Sequence, residues 1–174
     1  AKTYQGSTAL HFACGSITGG DIAAAMVSML VAAGASVHMG RRNGHTPLFF
    51  IYYLDESTLD IVTILLRAGA SLDSSTRSFE AHLDGLEDGL EDGLDDDELE
   101  HVGPIRNLVA SVRAAGSWKA HCRLPHKQIL RLRSLVARGR TKERLATTRA
   151  IRFIVRQGDN GIVWNILSYW RETG

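Results

Sequence analysis

Cysteine is scarce and long apolar runs are missing, and each shortage narrows what the chain can be. Its two cysteines, Cys14 and Cys122, lie far apart in the sequence and match neither a disulfide framework nor a zinc ligand pair. The expected setting is therefore reducing and intracellular, in the cytoplasm. Charged residues, or in Ile22 to Gly40 serine, glycine and histidine, interrupt the apolar stretches, so none approaches the roughly eighteen apolar residues that read as a membrane span. The N-terminal residues lack a basic start, an apolar block and a small-residue cleavage site. The chain reads as a piece of a longer protein that starts mid-course.

Signatures of catalysis are missing as well. The seven histidines, His11, His38, His45, His82, His101, His121 and His126, are nowhere paired at the spacing of a helical metal site, and no serine or cysteine elbow accompanies them. No glycine loop of the phosphate-binding kind occurs. The expectation is a chain that is not an enzyme and holds no metal or cofactor. His11 is expected to organise structure rather than act as a base, and Cys14 to be a small core residue rather than a nucleophile.

What is present is a composition able to build a core, 44% hydrophobic and 22% charged, and a formal net charge of +1 that hides a segregation. Glu80 to Glu100 holds eleven Asp or Glu and no Lys or Arg; Lys119 to Arg156 holds twelve Lys or Arg against Glu143 alone. Such blocks pair internally or bind separate partners.

A repeat organises the first part of the chain. Gly6-Ser7-Thr8-Ala9-Leu10-His11-Phe12-Ala13 and Gly44-His45-Thr46-Pro47-Leu48-Phe49-Phe50-Ile51 are two copies of one pattern. Each opens a short helix. Thr8 and Thr46 stand where an N-cap hydroxyl accepts a backbone N–H, and Pro47 sits at the first helical position, where its missing donor costs nothing. A second pair closes each unit: Met29 to Val37 and Ile64 to Leu72 are apolar helix ends followed by a glycine stop, Gly34 and Gly69, and a short extended exit.

These motifs resemble the ankyrin repeat, whose T-P-L-H-x-A helix start and L-L-x-x-G-A helix end recur about every 33 residues. The chain departs from the pattern at Ala9, which replaces the proline, and at Phe49, which replaces the histidine that ties neighbouring repeats in this family; an apolar tie is expected in the second unit. Ala114-Ala115-Gly116-Ser117 echoes Ala68-Gly69-Ala70-Ser71, so a degenerate third repeat is read, split by an acidic insert. The resemblance implies an all-α repeat solenoid with short β-turn fingers, followed by a small C-terminal helical bundle. Residues 1–117 are the repeats, at about 1–37, 38–72 and a degenerate 73–117 with a disordered acidic insert at about 80–100. Residues 118–174 are a basic helical cap or box. Two or three repeats leave apolar faces bare, so further repeats are expected upstream, with residues 1–5 as the finger leading out of the preceding one.

The insert, Leu83 to Asp95, repeats an Asp-Gly-Leu-Glu theme with a glycine in each unit, each costing a helix about 1 kcal/mol. It reads as a mobile solvated loop, and it lacks the D-x-D-x-D-G spacing of a calcium loop. Past it, helices are expected at about 102–115 and 125–137, at about 141–157, and from a cap at Asp159 or Asn160. In the plainest reading they form a cap with the tryptophans in its core and the arginines facing water.

Two sharper readings compete with the cap. Leu132 to Arg138 with Ile166 to Trp170 resembles the helical SOCS or F-box-like tail of ubiquitin-ligase substrate adaptors, but the family's Leu-Pro-Leu-Pro element is missing and Leu124-Pro125 falls before the first helix. Nucleic acid is the other, since Arg149, Arg152 and Arg156 share one helical face; aromatic residues suited to base stacking are not seen interleaved with them, so nucleic acid is not the expected partner.

The family resemblance implies a protein partner held in the concave groove, with no small-molecule substrate. The matching finger residues are His38, Met39, Arg41, Arg42 and Asn43, and the matching helix positions are Phe12, Phe50 and Tyr53. An aromatic strip is costly to leave wet, and two arginines beside it favour a carboxylate-bearing partner. Packing of Phe50 and Tyr53 on the adjacent unit is the competing reading.

Overall fold

A computed structural model describes residues 3–16, 21–74, 77–88, 96–140, 149–156 and 160–173, with side chains described outside 86–88, 96–99 and 168–173. Among the described residues the regular structure is helical, with one isolated antiparallel bridge between Asp73 and Ser78. The chain divides into two compact units, Ala1–Ala114 and Ala115–Gly174.

In the first unit α1 (Ala9–Cys14) packs on α2 (Asp21–Ala32) and on a 3₁₀ turn, Pro47–Phe50; α2 packs on α3 (Thr58–Arg67), and the 3₁₀ turn on α4 (Phe79–Asp88). Helix α5 (Asp96–Ala115) closes the unit. Each buried stripe follows the helical period. Leu10, His11, Ala13 and Cys14 are buried on α1, and Ile61, Val62, Leu65 and Leu66 on α3. Val102, Ile105, Val109 and Val112 recur every three or four residues and form the buried face of α5.

The helix stops lie at the expected glycines. Gly34 (φ 85°) and Gly69 (φ 94°) adopt the left-handed conformation that a Cβ resists. After each, the chain bonds back in the same way: the Ala35 N–H donates to the Leu30 carbonyl and the Ala70 N–H to the Leu65 carbonyl, both at 2.9 Å.

The two helix starts differ. Thr8 forms a capping box with His11, whose ring also lies 2.9 Å from the Thr8 hydroxyl, whereas the buried Thr46 hydroxyl meets no partner among the described residues. The helix expected from Pro47 is also only the four-residue 3₁₀ turn, after which Ile51 turns extended (φ −78°, ψ 108°).

The acidic tract needs correction where it is described. Leu83–Asp88 belongs to α4 and Asp96–Glu100 to α5, both helical instead of disordered. Anchoring explains this: Phe79 and Leu83 are fully buried, Asp84 pairs with Arg106 at 2.7 Å, and Arg113 grips both Glu80 and Asp73. These contacts outweigh the helix penalty of Gly85. Residues 89–95 lie outside the described residues.

In the second unit α6 (Trp118–Ala137) packs on α7 (Arg149–Arg156) and α8 (Asn160–Thr173). Helix α6 starts earlier than expected because the Ser117 side chain caps it, accepting the Ala120 N–H at 3.2 Å. Leu124 and Pro125 therefore lie inside α6, not before it. Ile129, Ile154, Val163 and Leu167 form the core, with Leu130, Ile151 and Ile166 around it. Trp164 is a second correction: Val163 and Leu167 take the inward face of α8, and the ring one position on is 58% exposed.

The candidate partner-binding surface

Two turns of matching design begin the surface. Thr3 N–H donates to the Ser7 carbonyl and Gly6 N–H to the Thr3 carbonyl; Arg41 N–H donates to the His45 carbonyl and Gly44 N–H to the Arg41 carbonyl, all at 2.9 Å. Gly6 and Gly44 have φ of 84° and 79°, which is why glycine stands at each. Asn43 tightens the second turn by accepting the His45 N–H at 3.1 Å. The fingers lie side by side, joined by the Arg42 N–H donating to the Gln5 carbonyl at 3.2 Å and by the Arg41 guanidinium on the Gln5 amide oxygen.

Beneath the fingers, histidines fasten one repeat to the next. The Thr8 N–H donates to His11 Nδ1 at 3.1 Å, which leaves the proton on Nε2, and Nε2 donates to the His45 carbonyl at 3.1 Å, 34 residues away. His11 is thus a structural tie. Burial chiefly, with the Arg41 charge behind it, holds its pKa below the ordinary imidazole value.

At the next junction Phe49 provides the apolar tie expected of it, fully buried with its ring edge-on to Phe79 at 5.8 Å. Sequence reasoning missed a second tie there. Arg77 Nη2, a donor, meets His82 Nδ1 at 2.6 Å, so His82 Nε2 carries the proton and donates backward to the Ile51 carbonyl at 2.9 Å. The signal was a histidine in the first turn of α4, four residues after Ser78.

Above this frame lies a row of aromatic rings. Phe12 is 54% exposed and meets the half-buried Phe50 ring at 6.2 Å; Phe50 meets Tyr52 at 5.1 Å. Tyr53 is exposed too, but Tyr52 takes the place beside Phe50 that was expected of Tyr53. The reason is local: after the 3₁₀ turn the chain is extended, so Phe50 and Tyr52 alternate outward around the buried Ile51.

Both arginines sit on rings. The Arg41 guanidinium lies 4.9 Å from the Phe50 ring centre, and that of Arg42 4.4 Å from that of Tyr4. Tyr4, 84% exposed, is a further residue that sequence reasoning passed over. His38 is exposed, with its N–H on the Ser36 hydroxyl, Met39 is half-buried, and Asn43 is exposed.

Gly15 sets the height of the row. A Cβ there would lie 2.8 Å from both the Phe50 ring and the Phe50 carbonyl oxygen, and the carbonyl is backbone that cannot swing away. Gly15→Ala is expected to cost about 1–3 kcal/mol, the usual penalty of overpacking. Urea unfolding followed by circular dichroism checks this; an unchanged midpoint would refute the tight contact.

Burial of Cys14 pushes its thiol up to about 12, so no thiolate is available near neutral pH. Among the described residues no three His, Cys, Asp or Glu gather as metal ligands, and no helix is long and apolar enough to cross a membrane.

Comparison with known proteins bears on the same region. The family model described as the ankyrin repeat matches residues 5–41, from the first finger through α1 and α2 into the second finger. No curated protein and no solved structure matches the chain.

Proposed function

Because the chain is an ankyrin-repeat protein, all-helical in its regular structure among the described residues and of a type that binds protein partners, we propose that it is a non-catalytic interaction module. Its partner is an acidic segment laid along Phe12, Phe50 and Tyr52, with Arg41 and Arg42 supplying the charge. The reading extends the repeats to 38–72 and to a degenerate third unit around α4 and α5, whose His82 bond to the Ile51 carbonyl parallels that of His11 to the His45 carbonyl.

One observation carries the proposal: the Arg41 guanidinium is stacked on Phe50 at the edge of an exposed aromatic row. Stacking orients the guanidinium and leaves it able to receive a carboxylate, while the rings offer area at little conformational cost.

Selection of a random peptide library on the chain tests this. Peptides that pair acidic with apolar residues are expected, and Arg41→Glu combined with Phe12→Ala is expected to weaken them at least tenfold, the scale of a lost hot spot. Peptides without acidic enrichment, or unchanged binding by the double variant, would sink the reading.

A further inference from the structure

The second unit carries thirteen Lys or Arg against three Asp or Glu, a formal net charge of +10. Helix α7 shows how that charge is displayed. Ile154 and Val155 are buried and Ile151 is half-buried toward the bundle core, which turns Arg149, Arg152, Phe153 and Arg156 to the opposite face. Their spacing of three, four and seven residues places them on one stripe on the order of 10 Å long. All four are exposed, Phe153 at 55%.

This overturns the expectation that no aromatic ring is interleaved with these arginines. Phe153 shares one helical stripe with the three arginines, on the outside of a bundle whose core has apolar residues of its own. A folding role does not account for it, since an exposed phenylalanine contributes little to a core.

We propose that this face of α7 binds single-stranded nucleic acid, with Arg149, Arg152 and Arg156 on phosphates and one base stacked on Phe153. The chemistry selects that polyanion over others. A sulfated sugar satisfies the arginines but brings no flat base to the ring, and an acidic protein segment, the occupant read for the aromatic row of the first unit, calls for a row of rings, not one ring on a stripe of three arginines. A bilayer surface calls for a broad apolar face with basic flanks, whereas the apolar face of α7 is spent on the bundle core. Bases present a flat face beside each phosphate, and stacking on an aromatic side chain is tolerant of sequence.

The site lies in a different unit from the aromatic row of the first, so either assignment can fail without the other. The test is fluorescence anisotropy with the full chain and labelled single-stranded dT20 and rU20, across about 50 to 300 mM salt. Both probes are expected to bind, with an affinity that falls steeply with salt, by a slope near 0.7 per phosphate engaged.

Phe153→Ala, an exposed change with an unaltered circular dichroism spectrum, is expected to weaken binding about tenfold, within the range of one lost base stack, and to leave the salt slope in place. Arg152→Gln is expected to flatten the slope by roughly one phosphate. Binding of rU20 alone would restrict the ligand to RNA and still support the site. The proposal is overturned by no binding at 50 mM salt, by equal affinity for heparin that Phe153→Ala does not alter, or by capture on phosphatidylserine vesicles with none on the oligonucleotides.

Discussion

Replacing Phe49 with alanine is expected to destabilise the first unit by about 3–5 kcal/mol, the range for emptying a buried phenylalanine site. Phe49 is fully buried and meets three rings, His45 at 6.1 Å, Phe79 at 5.8 Å and His82 at 5.7 Å, so truncation opens the junction between the 3₁₀ turn and α4. Stabilities of most domains are only about 5–15 kcal/mol, and the alanine variant can fall below a measurable folded population. Phe49→Leu, expected to cost less than half as much, keeps the comparison quantitative. Urea midpoints measured by circular dichroism decide the matter. A loss below about 1 kcal/mol for the alanine variant would mean that Phe49 does not fasten the repeats.

Its neighbour provides the contrast. Phe50 is half-buried: its ring meets the buried His11 ring at 5.6 Å and lies against Gly15 of the preceding helix, and it also meets Phe12, Tyr52 and the Arg41 guanidinium toward the surface. Two adjacent phenylalanines thus divide the work, Phe49 fully buried toward α4 and Phe50 set over α1 with part of its ring at the surface. The pattern Leu48-Phe49-Phe50-Ile51 does not announce this division by itself, because alternating and helical periods both fit four apolar residues.

What could be read in advance follows the range of the forces involved. Gly34 and Gly69 were legible as helix stops because a left-handed residue is a local demand that glycine meets. The finger residues were legible because Gly44 and Asn43 state a turn by their own chemistry. Tyr52 and the tie from His82 were not. Tyr52 faces Phe50 only because the helix expected after Pro47 stops at one 3₁₀ turn, and His82 reaches Ile51 only because α4 packs on that turn. The acidic tract failed for the same reason: glycine and charge argue locally against a helix, while Phe79, Leu83 and the pairs made by Arg106 and Arg113 act at a distance. Phe153 was legible as one residue of a basic helix, but its exposure depends on which face the bundle core claims.

Acid is expected to loosen the first unit well before its carboxylates titrate. Burial foremost, followed by the charge of Arg77, lowers the His82 pKa to about 4, and the bond to the Ile51 carbonyl only partly opposes this. In the unfolded chain the ring titrates near 6.5. Between these values the unfolded chain binds a proton that the folded one refuses, so stability is full above about pH 6.5 and declines as the pH falls toward 4. At 1.36 kcal/mol per pH unit the loss at pH 4 is about 3 kcal/mol from His82. His11 and His45, whose values burial also lowers, add to it with the same sign. Glu80, held below the ordinary carboxylate range by its bond to Arg113, adds a further loss only at lower pH. Urea unfolding at pH 7.5, 6, 5 and 4.5 is expected to show a falling midpoint, and His82→Gln, whose amide can still donate to Ile51, a shallower fall. Nuclear magnetic resonance titration of the His82 ring should place its midpoint near 4. A ring that titrates near 6.5 in the folded chain would show that His82 is open to water, and the backward tie between α4 and the second repeat would have to be given up.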